Sequence, residues 1–332
     1  MDFGLNDEQR QIREMVHDIC LERVEPRAAS IDESGEFPWD IKDLFAKHDI
    51  LAIPFTPDYG GVSGNAVTLI LAVEEISKFC ATSSLILSVQ SLGSLPIWLG
   101  GNEAQKRKYL PPLARGEQLA AFALTEPGSG SDAAGMRTRA IKRGDSYVIN
   151  GSKTFITGGS VADTIVVFAR TDQNGDAPAR DISAFIVEKT MPGFKVGKVE
   201  KKMGIRGSPT AQLFFEDLAV PAANRLGHEG EGFKLAMRVL DHSRPGIAAQ
   251  ALGIAEGAFD LARRYARDRR QFGKPIMEFQ GIQFMLADMA TQIEAARDLT
   301  YAAADALDRR LPDTNLSSAI AKVFASDTAM RV

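Results

Sequence analysis

Apolar residues recur at helical spacing near the beginning of the chain. The first stripe follows Asn6, a plausible helix N-cap, and Pro26 is predicted to end that helix. The stripe consists of Ile12, Met15, Val16, Ile19 and Cys20. Largely apolar stretches at 66–79 and 83–99 are typical of buried helices. The pattern therefore predicts an N-terminal α-helical domain over residues 1–118.

Between residues 119 and 225 the pattern changes to short runs of β-branched and aromatic residues. The runs are Tyr147-Val148-Ile149, Thr164 to Phe168, Ser183 to Val187 and Leu213 to Phe215. Turn-forming clusters separate them, namely Arg143-Gly144-Asp145, Gln173-Asn174-Gly175-Asp176 and Met191-Pro192-Gly193. Several short strands joined by such turns predict a middle domain built as an antiparallel β-barrel or sandwich.

Helical spacing returns in the third part of the chain, residues 226–332. Ser243 can cap a helix and Pro245 can occupy its first turn, which predicts a new helix after Asp241. A loop follows at 271–276, and two further helices are predicted from Phe279 to about Arg309 and from Asn315 to Val332. The whole pattern predicts an α+β multidomain protein: a helical domain, a β-domain and a C-terminal helical bundle.

Composition and charge exclude several classes of protein. The 332 residues are 45% hydrophobic and 25% charged, which is ordinary for a globular protein of two or three domains. The formal net charge is −4 with no long block of one sign, so we expect no nucleic-acid partner. The longest apolar runs fall short of the roughly 20 residues that a membrane span needs.

Cysteine and histidine usage points to a reducing compartment without a metal site. Cys20 and Cys80 are the two cysteines, and they do not form a CxxC motif. The four histidines are scattered without metal-ligand spacing. The N-terminus has no apolar signal region and no Arg-rich transit pattern. We therefore expect a cytoplasmic protein of a bacterium.

The stretch ALTEPGSGSD, residues 123–132, combines turn formers with hydroxyl donors after an apolar run. Gly128 and Gly130 can adopt positive φ, and successive amides in such a bend can form a concave nest for an anion. Ser129 and Ser131 add hydroxyl donors, so a phosphate or the edge of a flavin suits the loop. A plain surface turn remains the alternative, because the stretch matches neither the P-loop nor the GxGxxG pattern.

Two further motifs suggest a flavin nucleotide. In NGSKTFITGG, residues 150–159, Phe155 offers a flat apolar face and Thr157 a hydroxyl, as an isoalloxazine ring requires. An ordinary hairpin strand is the alternative. In RDRRQFGKPI, residues 267–276, the arginines at 267, 269 and 270 can hold a pyrophosphate through paired hydrogen bonds. A solvated basic helix end is the alternative there.

Together, in this order and spacing, the three motifs resemble those of the acyl-CoA dehydrogenase family. TEPGSGSD resembles the family's first signature, GSKTFIT its flavin-stacking strand and DRRQFGKPI its flavin-pyrophosphate loop. Residues 201–221 resemble the segment that ends the β-domain, and the resemblance extends from LNDEQRQIR to AIAKVFASD. It implies FAD-dependent α,β-dehydrogenation of an acyl-CoA thioester. A base would remove the pro-R α-proton while a hydride leaves the β-carbon for flavin N5.

The resemblance also implies which residues bind FAD and acyl-CoA. For FAD they are Phe122, Leu124, Thr125, Gly130, Ser131, Phe155, Ile156, Thr157, Arg269, Gln271, Phe272 and Gln280. Those from Arg269 onward would reach the FAD of a neighbouring subunit, so the resemblance implies a homotetramer, a dimer of dimers. Ser131, Asp241 and Arg244 would contact the acyl-CoA substrate. The implied redox partner is an electron-transfer flavoprotein.

The chain departs from the family pattern at the catalytic base. Most members use a glutamate in a motif like YEGT, preceded by a glycine-rich FGGxG segment, and neither motif occurs here. In a subset the base lies near LDHSRP, where this chain has Ser243. No residue is therefore predicted as the base, and Glu126 is interpreted as structural. Because the helix from Asn315 lacks a stop signal, we expect the 332 residues to be a fragment of a longer chain.

Two alternative functions stay open at this point. One is base-free acyl-CoA chemistry, such as desulfination, on the same fold, and the other is a non-catalytic flavoprotein subunit. Glutaryl-CoA dehydrogenases resemble the chain around SVQS but carry an arginine where this chain has Ser84, which disfavours a dicarboxyl substrate. Leu85, Ile86 and Leu87 suggest an apolar acyl pocket of undetermined length.

Overall fold

The structure is a computed structural model that describes residues 4–171 and 178–332. The predicted turn at Gln173–Asp176 lies outside the described residues. The described residues group into two compact units. The first unit contains residues 4–29, 65–84 and 241–332, and the second contains residues 30–64, 85–171 and 178–240.

Helices occupy most of the chain before the sheet. They are α1 (Asp7–Ile19), α2 (Glu25–Ser34), α3 (Trp39–Lys47), α4 (Ala66–Phe79), α5 (Ala81–Gly100) and α6 (Glu103–Ala114). The predicted cap of α1 is confirmed, because Asn6 and Gln9 form a reciprocal capping box. The apolar stretches at 66–79 and 83–99 correspond to α4 and α5.

Pro26 does not end the first helical segment, so that prediction was wrong. A π-helical turn at Cys20–Val24 follows α1, and Glu25 donates its backbone N–H to the carbonyl of Cys20. Pro26 then lies in the first turn of α2, where a missing N–H costs least. The wider turn lets the helical path continue to Ser34.

The middle of the chain forms one sheet. Its strands are β1 (Ala120–Ala123), β2 (Arg139–Arg143), β3 (Ser146–Thr157), β4 (Thr164–Arg170), β5 (Ile182–Glu188), β6 (Phe194–Val199), β7 (Thr210–Pro221) and β8 (Arg225–Leu226). Their order is β6-β7-β3-β2-β4-β5-β8, with β1 beside β4. Most neighbours are antiparallel, as predicted, but β1 and β2 each pair with β4 in parallel. The long connection through β2 and β3 lets the chain return in the same direction.

Strand β4 is almost entirely apolar because both of its faces are buried. Val166 and Phe168 belong to one core cluster, which also contains Ile97 and Leu110 of α5 and α6. Ile165, Val167 and Ala169 face a second cluster inside the sheet domain. Because successive residues of a strand point to opposite faces, a strand covered on both sides is apolar throughout.

After the sheet the chain forms α7 (Gly232–Asp268), a short hairpin of β9 (Arg270–Gln271) and β10 (Lys274–Pro275), α8 (Gln280–Asp308) and α9 (Thr314–Arg331). The predicted helix start at Ser243 was wrong, because α7 continues through Pro245. Val239 before the proline is buried in one core cluster, and Ala248 and Leu252 after it are buried in another. Burial of the helix on both sides of the proline outweighs the roughly 3 kcal/mol that an interior proline costs.

The order of helices, sheet and helices confirms the predicted α+β fold class. The predicted domain boundaries after residues 118 and 225 stay predictions.

Candidate functional site

The loop that follows β1 is a closed, ordered bend. Glu126 and Ser129 exchange backbone hydrogen bonds of 2.9 and 3.1 Å, and the Ser129 hydroxyl donates to the carbonyl of Asp132 over 2.6 Å. Ser129 is buried and serves the loop itself, whereas Gly130 and Ser131 are exposed. Among the predicted hydroxyl donors, Ser131 is therefore the one that faces outward.

Gly128 and Gly130 do not use the positive φ that glycine permits. Neither glycine is among the residues with positive φ. A Cβ added at either position would meet nothing within 4 Å. The loop therefore does not need glycine for its own conformation, and what the two positions contribute is an unobstructed backbone.

Strand β3 contains a bulge that turns Phe155 outward. The pairing of β3 with β7 shifts register between Lys153 and Ile156, so the alternation of buried and exposed side chains is broken there. Lys153 and Thr154 are both buried, whereas the Phe155 side chain is 63% exposed. Phe155 also has φ of 57°, which is a sparsely populated conformation for a bulky residue. Such strain is concentrated at functional sites.

A backbone hydrogen bond joins the loop to the bulge. Thr154 donates its N–H to the carbonyl of Thr125 over 2.9 Å. This contact places the predicted flavin residue Thr125 beside the strand segment that carries Phe155 and Thr157. Phe122 and Leu124, by contrast, pack into the core, where the ring of Phe122 lies 5.0 Å from that of Phe168. Their side chains support the site, and Ile156 is buried in the same supporting way.

The ion pair between Lys153 and Glu126 was missed by the sequence analysis. Lys153 is fully buried, and its Nζ lies 2.8 Å from Glu126 Oε1 and donates to the Leu124 carbonyl over 2.9 Å. Glu126 also accepts the backbone N–H groups of Arg137 at 2.6 Å and Thr138 at 3.0 Å. A lysine at an inward-facing strand position within GSKTFIT is the signal that points to it.

The environment of the pair shifts both pKa values. Burial lowers the pKa of Lys153 to about 8, against the favourable field of Glu126. Burial also tends to raise the pKa of Glu126, but the Lys153 ammonium and the hydrogen bonds from Thr138 and Arg137 outweigh it and hold that pKa below its usual value. Both groups are therefore charged at neutral pH.

The predicted pyrophosphate segment forms a strained hairpin in the first unit. Phe272 has φ of 51° and Gly273 φ of 80°, as the two central residues of a type I′ turn require. The Phe272 side chain is 93% exposed, and Arg269, Gln271 and Gln280 are exposed as well. The hairpin therefore presents an aromatic ring and an arginine together to the outside of a single chain.

Asp241 and Arg244 lie one turn apart on α7 and form an ion pair with each other. Both side chains are partly exposed. The predicted site residues thus fall into two sets. The loop and bulge residues belong to the second unit, and Asp241, Arg244 and the hairpin belong to the first.

Residues 4–171 and 178–332 contain neither a cluster of metal ligands nor a membrane-spanning helix. Within those ranges no group of three or more His, Cys, Asp or Glu side chains is arranged to hold a metal ion. Each helix in the same ranges is too short or too polar to cross a membrane.

Family models match nearly the whole chain. The N-terminal, middle and C-terminal domains of acyl-CoA dehydrogenases match residues 6–117, 121–218 and 230–332, respectively. The chain belongs to the acyl-CoA dehydrogenase family. Members of this family depend on FAD.

Several members of the family match this chain along nearly its whole length. A short-chain specific acyl-CoA dehydrogenase of Clostridium acetobutylicum is 50% identical, over 100% of this chain and 87% of the relative. The structure of butyryl-CoA dehydrogenase from Megasphaera elsdenii matches with a TM-score of 0.96 and 46% identity, covering 100% of this chain and 87% of that one. A structure described with the electron transferring flavoprotein of Acidaminococcus fermentans matches with a TM-score of 0.96 and 47% identity, covering 99% and 86%.

The described residues suit the flavin that the acyl-CoA dehydrogenase family uses. An outward aromatic ring at residue 155, a half-buried hydroxyl at Thr157 and an unobstructed loop backbone at 128–130 are the groups that an isoalloxazine ring can use. The strained, exposed Phe272 beside Arg269 suits the remainder of a dinucleotide.

Proposed function

We propose that this protein is an FAD-dependent acyl-CoA dehydrogenase that converts a saturated acyl-CoA thioester into the trans-2-enoyl-CoA. Electrons then pass to an electron-transfer flavoprotein. The observation that carries the proposal is the bulge of β3, which is hydrogen-bonded to the 124–131 loop and turns Phe155 outward beside Thr157. The similarity to butyryl-CoA dehydrogenase and to the Acidaminococcus fermentans structure supports the substrate class and the partner.

In this proposal the loop and the bulge hold the isoalloxazine ring. Phe155 stacks on the ring, while Thr125 and Thr157 donate hydrogen bonds to it, with Leu124, Gly130 and Ile156 forming the backbone around them. FAD supplies the hydride acceptor of the reaction when bound. Because Phe155 lies in a bulge of a paired strand and not in a free loop, its backbone is positioned before any ligand binds.

We propose a homotetramer in which Arg269, Gln271, Phe272 and Gln280 contact the FAD of a neighbouring subunit. All four side chains are exposed in the single chain, and Phe272 is 93% exposed. The Phe272 ring makes an edge contact with Phe279, with 6.1 Å between ring centroids, yet it stays almost entirely in solvent at positive φ. A second subunit would cover the exposed ring.

Ser131, Asp241 and Arg244 are proposed to contact acyl-CoA. Ser131 is exposed on the loop, and the partly exposed Arg244 is held by its ion pair with Asp241. We assign the base to none of these residues. Glu126 does not qualify, because Lys153, Arg137 and Thr138 occupy both of its oxygens. Ser243 lacks the basicity for the step.

Flavin reduction tests the proposed reaction directly. We expect the full-length holoprotein to be yellow and butyryl-CoA to bleach its visible flavin band under anaerobic conditions, because hydride transfer reduces the flavin. Glutaryl-CoA should bleach it far less, since Ser84 provides no cation for a second carboxylate. A yellow holoprotein that no saturated acyl-CoA bleaches, from butyryl- to octanoyl-CoA, would contradict the proposed dehydrogenation.

Arg269→Ala tests the hairpin. We expect the variant to bind FAD about 10- to 100-fold more weakly, because a charge-assisted hydrogen bond to a phosphate is lost. Titration of the apoprotein with FAD measures the change. Arg263→Ala is the matched control, since Arg263 is an exposed arginine of α7, the helix before the hairpin, and pairs with Asp260 over 3.2 Å. Equal FAD affinities of the two variants, or a monomer that retains its flavin, would contradict the shared site.

A further inference from the structure

We propose that the buried Lys153–Glu126 ion pair is a positioning pair for the flavin: it holds the 124–131 loop against the bulge of β3 and thereby sets the spacing of their flavin contacts. This inference rests on the proposed function, because it concerns the two segments assigned there to the isoalloxazine ring.

The pair joins the loop and the strand next to each assigned contact. Lys153 lies two residues before Phe155, and its Nζ reaches Glu126 Oε1 at 2.8 Å and the Leu124 carbonyl at 2.9 Å. Leu124 and Glu126 are the two neighbours of Thr125. The Lys153 ammonium group therefore contacts the loop on both sides of Thr125, the residue that is proposed to donate a hydrogen bond to the ring.

The carboxylate extends the connection to a third segment. Glu126 accepts the N–H groups of Arg137 and Thr138, just before β2, at 2.6 and 3.0 Å. All the hydrogen bonds of the pair go to groups that are nearby in space but 11 to 29 residues apart along the chain. Four donor–acceptor contacts on two buried side chains leave the loop little freedom to move relative to β3.

The bulge makes the orientation of Phe155 depend on Lys153. Because the register shifts between Lys153 and Ile156, Lys153 points inward and Phe155 points outward, although two residues of a regular strand would point the same way. The inward lysine is thus the anchor of the segment whose outward side chain meets the ring. A change at the anchor moves the exposed aromatic ring directly.

Stability alone is a poor explanation for the pair. Burial desolvates both charges, and apolar residues of similar volume often stabilise a fold as well or better. Lys153 is fully buried and Glu126 is 7% exposed, so hydration stabilises neither charge. A directional pair that fixes the distance between two segments is what the apolar alternative cannot supply.

The test compares Lys153→Met and Glu126→Gln with a matched surface pair. Lys195 and Glu216 form the same type of ion pair at 2.6 Å between β6 and β7, but both side chains are 60% exposed. We expect each buried variant to raise the Kd for FAD about 10- to 100-fold and to alter the visible spectrum of the bound flavin. Lys195→Met should change the Kd less than twofold and leave the spectrum as in the wild type.

The readouts separate positioning from a purely structural role. A variant that unfolds at lower urea concentration but binds FAD with the wild-type Kd and spectrum would overturn the inference. If Lys153→Met does not fold, Glu126→Gln decides by the same criterion, because it keeps the shape of the side chain. Failure of both variants to fold would also overturn it, since the pair would then be a determinant of folding.

The proposed function fails in a different way. A wild-type protein that takes up FAD but is not bleached by saturated acyl-CoA contradicts the dehydrogenase function, while FAD affinity of the variants still reports on the positioning pair. A wild type that is bleached, with variants that bind FAD unchanged, contradicts only the positioning pair.

Discussion

Arg297→Met is expected to lower the free energy of unfolding by about 3–5 kcal/mol, because it removes the cation that pairs with the buried Glu74 carboxylate. The Arg297 guanidinium on α8 forms ion pairs with Glu74 of α4 and, at 3.0 Å, with Glu256 of α7. Glu74 is 2% exposed, and its other hydrogen bond here comes from the neutral Tyr301 hydroxyl at 2.7 Å. Desolvation lowers the pKa of Arg297, so burial of its charge is itself unfavourable and depends on these carboxylates.

The matched control for this prediction lies on the same helix. Arg309 of α8 pairs with Asp305 at 3.2 Å, but the two side chains are 63% and 53% exposed. Arg309→Met should change the free energy of unfolding by about 0–1 kcal/mol. Urea unfolding followed by circular dichroism measures both variants. Equal losses at positions 297 and 309 would show that the three-helix charge cluster contributes no more than a surface pair.

Gly253→Val is expected to lower the free energy of unfolding by several kcal/mol, because it forces α4 and α7 apart. A Cβ at Gly253 would lie 2.3 Å from the Glu74 carbonyl oxygen and 2.6 Å from the Ser77 Cβ. Gly257, one turn later, meets the Lys78 carbonyl oxygen at the same 2.3 Å. Backbone atoms cannot rotate away, so the helices must separate, and overpacking of about 1–3 kcal/mol adds to the loss of helix packing.

Gly246→Ala on the same helix is expected to have the opposite effect on the free energy of unfolding. A Cβ at Gly246 meets nothing within 4 Å. Alanine there should therefore raise the free energy of unfolding by up to about 1 kcal/mol through its higher helix propensity. Thermal unfolding midpoints should rise in the order Gly253→Val, wild type, Gly246→Ala. A Gly253→Val midpoint at or above the wild-type value would contradict the close helix contact.

Much of the fold was predictable from local pattern. The stripe from Ile12 to Cys20 identified α1, and the runs around Tyr147, Thr164 and Leu213 identified strands of the sheet. These predictions succeed because helical and strand periods, caps and turns depend on residues a few positions apart. The two proline predictions failed for different reasons. Pro26 lies in the first turn of α2, where little is lost, whereas Pro245 lies inside α7, where packing outweighs the local cost.

The candidate site was only partly predictable. The motifs around Thr125, Phe155 and Arg269 could be found in the sequence, since each is a short run of residues with recognisable chemistry. The bulge that turns Phe155 outward, the positive φ of Phe272 and the burial of Lys153 could not, because pairing with β7 and the surrounding core produce them.

By itself, then, the sequence determined most of the helices and strands, although not all of their ends, and it indicated three candidate segments for flavin binding. Only the tertiary structure decided that β1 runs parallel to β4, and that Lys153 meets Glu126 across 27 residues of chain. Local preferences act between neighbours along the chain, whereas strand partners and buried ion pairs depend on which distant segments the core brings together.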